Sequence, residues 1–152
     1  MEESFFENPI MNFDDILRQS LAAVNDGYMS ALNDLSGTVD KVREAVIQNA
    51  DDKVGLELQK VASDLKSSTF RFFLDPNVAD INQELITITC FQIPSSGYPI
   101  KCGTLHKPGN HFTATGEIED REGLLRYFSD LLQQPESRLV QAIGFALRQR
   151  SN

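Results

Sequence analysis

From Phe13 to Leu65 the apolar residues recur at intervals of three and four. The series runs Phe13, Ile16, Leu17, Leu21, Val24, Tyr28, Leu32, Leu35, Val39, Val42 and Val46, then Val54, Leu58, Val61 and Leu65. At 3.6 residues per turn such spacing keeps one stripe facing inward, with Asp, Glu, Lys, Asn and Gln elsewhere. Asn12 is placed to cap the first turn, and Asp14 and Asp15 sit near its positive end. Leu21, Tyr28, Leu35 and Val42 also lie seven apart, as a coiled-coil seam requires. Gly27 and Gly55 each weaken a helix by about 1 kcal/mol relative to Ala. Gly37, within LSGTVD, and the NADDK segment at 49–53 predict helix boundaries, with Ser36 or Thr38 able to cap a following helix. The expectation is two or three helices over residues 12–67, arranged as a hairpin. The rival is a single rod of about 50 residues that forms a coiled coil with copies of itself.

SSTFRFFLDP, residues 67–76, closes this half with a knot of Phe70, Phe72, Phe73 and Leu74, and Pro76 stops what precedes it. Upstream, Phe5, Phe6, Ile10 and Met11 form a smaller apolar patch around Pro9, expected to fold back and staple the first helix.

Beyond residue 83 the period changes to two. In ELITITCFQI, residues 84–93, Leu85, Thr87, Thr89, Phe91 and Ile93 alternate with Ile86, Ile88, Cys90 and Gln92. PSSG is turn material, and YPIKCGTL at 98–105 is a second strand in which Pro99 suggests an unpaired edge. HKPGN turns the chain again before a third strand, HFTATGEI at 111–118. Residues 119–134 carry Leu124, Leu125, Phe128, Leu131 and Leu132 at helical spacing behind a cap at Asp120, and Pro135 separates them from a last helix in ESRLVQAIGFALRQR, with Arg148 and Arg150 near its negative end. The predicted fold class is therefore α+β. An N-terminal helical hairpin or coiled coil precedes a three-stranded antiparallel β-meander with two C-terminal helices. The division expected is 1–76, an acidic helical interaction and oligomerisation region, and 77–152, a small meander-plus-helices domain.

Charge sharpens that division. Residues 1–83 hold 15 Asp and Glu against 7 Lys and Arg, and residues 84–152 hold 7 of each, so the whole net charge of −8 lies in the first part. An acidic surface repels phosphate backbones, which argues against direct nucleic-acid binding and suits a protein partner with a basic surface. Asp14, Asp15, Asp26, Asp34 and Asp40 are the residues expected to meet such a partner. Two cysteines are too few for a disulfide framework, the MEESFFENPI opening lacks the basic region of a signal peptide, and no run reaches the roughly 18 apolar residues of a membrane helix. A cytoplasmic setting is expected, with no membrane association.

Candidate chemistry gathers in IPSSGYPIKCGTLHKPGNH, residues 93–111. Cys90, Cys102, His106 and His111 follow the pattern C-x11-C-x3-H-x4-H, which lacks the tight knuckle a zinc site needs, so no metal and no cofactor are expected. A hairpin centred on residue 96 would set Cys90 opposite Cys102. A nucleophilic Cys102 needs a histidine within hydrogen-bond reach and an oxyanion hole, and the sequence supplies no identifiable hole. Walker, Rossmann, zincin and nucleophile-elbow motifs are missing. Tyr98, His106, His111, Phe112 and Arg126 are the candidates for holding a nucleotide-like small molecule beside the meander.

With FQIPSSGYPIKCG followed by EDREGLLRYFSDLL, residues 86–132 resemble short, uncharacterised phage and prophage proteins that share the SGYP turn and an acidic-capped helix. The resemblance implies a phage accessory or anti-defence protein acting by binding rather than turnover. Together these features predict a non-enzymatic intracellular binding or inhibitory protein, oligomeric, acting through its acidic helical half. A ligand-sequestering protein is the first alternative and a small Cys/His hydrolase the second.

Overall fold

The computed structural model describes residues 12–50, 54–75 and 85–151, with side chains through Arg148. The apolar patch of Phe5, Phe6, Ile10 and Met11, the stop at Pro76 and the side chain of Arg150 lie outside the described residues.

The chain begins as one helix, α1, Phe13–Asn49, of 37 residues. Asn12 caps it, its side-chain oxygen accepting from the Asp15 N–H at 3.2 Å, with Asp14 and Asp15 in the first turn. Gly37 does not end this helix, because it is exposed and a side chain there would meet nothing within 4 Å. The break expected near residue 49 is present: α1 stops at Asn49, and Ala50 N–H returns to Val46 O at 2.8 Å.

Strands follow at once: β1, Gly55–Ser63, and β2, Ser67–Asp75. Then come β3, Ile86–Pro94, β4, Ile100–His106, and β5, His111–Ile118. All neighbours pair antiparallel in the order β1-β2-β3-β4-β5, a five-stranded meander. The expectation of three strands is thus corrected to five, and the helical hairpin to one helix. Residues 54–75, read as helix and apolar knot, are a β-hairpin. Its turn, residues 64–66, is closed by the Asp64 carboxylate, which accepts from Lys66 N–H and Ser67 N–H at 2.8 and 2.9 Å. Gly55 opens β1 rather than weakening a helix. Pro99 marks no sheet edge: β4 is paired on both sides and the proline precedes its first residue. The sheet passes across position 76, so the acidic stretch and the meander share one structure.

Helices α2, Arg121–Gln133, and α3, Arg138–Ser151, end the fold. Asp120 caps α2, accepting from Gly123 N–H at 2.8 Å. A single core joins helices to sheet. Ala31, Leu35, Val39, Val42 and Val46 of α1 meet Leu56, Phe70, Phe72, Phe91 and Ile93 of the strands and Leu124 and Phe128 of α2. Phe128 stacks edge-on against Phe72 at 5.6 Å and tilts against Phe91 at 5.7 Å, fastening α2 to the two central strands.

Candidate functional site

Only part of α1 is used by this core. Its buried residues begin at Ala31 and end at Val46. Nearer the N-terminus Phe13, Ile16, Leu17, Leu21 and Val24 are 75%, 45%, 59%, 60% and 48% exposed. At 100° per residue those five and the six buried positions fall within one arc of about 140°. The stripe that packs on the sheet therefore continues, unchanged in direction, past the body of the protein for about 18 Å.

The point of departure is fixed by glycine. A Cβ on Gly27 would lie 2.4 Å from Ser96 O, and one on Gly97 would lie 2.5 Å from Gly27 O. The helix backbone thus rests directly on the β3–β4 turn, where Gly97 has φ +103°, and everything before Gly27 overhangs. Beside it Tyr98 donates from its hydroxyl to Asp34 Oδ2 at 2.7 Å, tying the same turn to α1. Burial, and then the hydrogen bond to Asp34, push the Tyr98 phenol well above its ordinary range. Under the overhang a groove of about 300 Å³ is lined by Leu21, Val24, Tyr28, Ser67, Ser68 and Ser95.

The acidic residues of α1 are not uniformly free to meet a basic partner. Asp15 pairs with Arg18 at 2.8 Å, Asp40 pairs with Arg43, and Asp34 takes the Tyr98 proton donor. Asp14 and Asp26 are exposed.

The five residues proposed to hold a ligand are not brought together. Tyr98 lies at the β3–β4 turn, whereas His106 and His111 pair at the β4–β5 turn, about 20 Å away along β4. Their rings stand 6.5 Å apart and exposed. Phe112 is half-buried opposite Leu105, and Arg126 is exposed on α2.

Cys102 faces Phe91, and Cys90 faces Gly103, one step away from the register that would have paired the two thiols. Both cysteines are buried and free. Burial pushes each thiol upward, against weaker opposing effects from hydrogen bonds and, at Cys90, from Arg71. A protonated thiol is a poor nucleophile. His106 lies about 13 Å along the strand from Cys102, beyond the reach of proton transfer. Among the described residues no three of the His, Cys, Asp and Glu side chains converge on a metal position, and no helix is long and apolar enough to cross a membrane.

Sequence reasoning identified the stripe but not its division at Gly27. That position carried a signal: a glycine inside a helix, matched by SSG in a turn far along the chain. Comparison with known protein families, curated proteins and solved structures finds no match to this chain.

Proposed function

We propose that this is an oligomeric, non-enzymatic binding protein of the cell interior, assembled through the projecting arm of α1. The observation that supports the reading is the apolar stripe Phe13–Val24, which continues the seam of a packed helix and ends without a partner among the described residues. The occupant is the arm of a second copy. Within the arm itself Leu17, Leu21 and Val24 are spaced four and three apart, as a coiled-coil seam requires, and two arms laid together form a short coiled coil. Full burial of one such side chain is worth roughly 1.5–3 kcal/mol. These are already about half covered, so ten of them from two copies supply on the order of 10 kcal/mol, within the roughly 4–15 kcal/mol that association costs. The resemblance of residues 86–132 to short, uncharacterised phage and prophage proteins implies action by binding, in agreement with this reading.

The rival occupant is a basic protein surface, and salt separates the two. Residues 13–26 carry three aspartates and one arginine, so two arms repel each other. Screening strengthens association between like-charged arms and weakens the grip of an acidic helix on a basic partner. Light scattering on a size-exclusion column should show a dimer or larger species that persists or grows as salt rises. Leu17→Lys with Leu21→Lys should return it to the 17.0 kDa monomer. A wild-type chain that stays monomeric at every concentration and salt overturns self-association.

A further inference from the structure

A second feature lies at the far end of the sheet, away from the arm. Although β3 and β4 are nine and seven residues long, they pair only at Cys90–Gln92 against Lys101–Gly103. Beyond Gly103 the two strands part, and the gap opens a cleft of about 350 Å³. That is within the range of small-molecule sites.

Its lining runs against the charge of the protein. Three cationic residues from three elements reach it: Arg71 from β2, Lys107 from the β4–β5 turn and Arg138 from the start of α3. No aspartate or glutamate is among the described residues that line it, in a chain of net charge −8. Thr87, Thr89, Thr104 and Asn110 add hydroxyl and amide groups, and Val61, Ile88 and Leu105 supply an apolar wall.

Two of the cations are held in place. Arg138 Nε donates to Thr87 O, next to the register shift at Ile88 in β3. The guanidinium carbon of Arg71 lies 4.7 Å from the centre of the Phe73 ring. Arg71 Nε is buried and has no hydrogen-bond partner among the described residues. A buried charged donor without an acceptor is destabilising, and native structures leave few of them. An anion in the cleft would offset the charge of that guanidinium.

We infer that this cleft binds a phosphorylated small molecule of mononucleotide size, its phosphate between Arg71, Lys107 and Arg138 and its ring against Val61, Ile88 and Leu105. The size of the cavity, the three converging cations and the mixed wall together select a phosphate ester over a bare ion or a polymer. The neighbouring Cys90 is buried, so the site holds its ligand without attacking it. The inference is independent of the arm, and a monomeric chain would have the same cleft.

Isothermal titration and thermal shift with the four nucleoside 5′-monophosphates, inorganic phosphate and adenosine test it. At least one monophosphate should bind saturably and raise the melting temperature by mass action, more tightly than phosphate, while adenosine should not bind. Lys107→Glu and Thr104→Glu each alter an exposed residue at the cleft. Each should weaken the monophosphate about tenfold or more and leave the melting temperature of the free protein unchanged. Phosphate binding as tightly as every monophosphate removes the role of the apolar wall. Adenosine binding as tightly as its monophosphate removes the role of the cations. Affinity unaffected by both substitutions places the ligand elsewhere, and no binding by any of the six compounds overturns the inference outright.

Discussion

The two parts of α1 on either side of Gly27 share a seam and differ in what covers it. From Ala31 to Val46 the seam lies on the sheet and on α2, and Ala31 and Leu35 are fully buried. From Phe13 to Val24 the same arc of the helix is left largely uncovered, with Leu21 60% exposed. Helical propensity does not distinguish them, since both are capped, periodic and continuous. The length of the sheet does. The body is wide enough to cover about half of a 37-residue helix, and the rest extends beyond the β3–β4 turn. Amphipathic pattern thus predicts that a face will be covered, while only the third dimension decides whether the cover is the same chain.

The sharpest test sets one seam residue against another. Leu35→Ala opens a cavity in the core and should destabilise the fold by about 2–5 kcal/mol in urea unfolding. Leu21→Ala, at the corresponding heptad position of the arm, should change the stability of the isolated monomer by no more than about 0.5 kcal/mol while weakening association. Equal losses at the two positions in dilute monomer would mean that the arm folds back on the body, and the distinction would collapse.

A pair of glycines sharpens the point of departure. Gly27→Ala gains about 1 kcal/mol of helix propensity, yet its methyl group would meet the Ser96 carbonyl at 2.4 Å, where no rotamer can relieve the overlap. The net result should be a loss on the order of 1–3 kcal/mol, as overpacking typically costs. Gly37→Ala meets nothing within 4 Å and should gain up to about 1 kcal/mol. If both substitutions stabilise, the helix does not rest on the turn.

The same contrast explains what the sequence disclosed. β3, β4, β5, α2 and α3 were legible because apolar and polar residues alternate or recur at helical spacing in each, and turn or capping residues bound them. β1 and β2 were not. In β1 a bulge after Lys60 interrupts the alternation that Leu56 and Leu58 begin, and the remaining apolar residues then mimic a spacing of three and four. Leu65, counted as part of the helical stripe, is 93% exposed in the β1–β2 turn. In β2 both faces are covered, since Phe70, Phe72, Phe73 and Leu74 are all buried, so no period of two is visible. The turn between them, DLKS, has no glycine, asparagine or proline, and is closed by the Asp64 side chain together with the Asp64 N–H to Ser67 O bond. The cleft was invisible for another reason: Arg71, Lys107 and Arg138 lie 36 and 31 residues apart and line one cleft only through the pairing of the meander and the docking of α3 on β3.

The smallest expected effect concerns the strut that holds the departure point. Tyr98→Phe removes the hydrogen bond to Asp34 and should lower stability by about 1 kcal/mol near neutral pH. Its dependence on pH gives it a distinct signature. The phenol is raised in the folded protein above its ordinary value of about 10, first by burial and then by Asp34. The contribution is therefore complete below about pH 10 and falls away as the pH climbs from there toward the folded value, because the unfolded chain releases the proton first. Tyr127, Cys90 and Cys102 are raised by burial as well, so the wild type should lose stability steadily above about pH 9. The Tyr98→Phe protein should share the part due to those three groups and lack the part due to Tyr98. The gap between the two proteins in denaturant midpoint should accordingly hold up to about pH 10 and narrow from about pH 10 upward. A gap that stays constant across that range would mean that the phenol does not gain its proton affinity from the fold, and that Asp34 does not anchor the turn on which the arm begins.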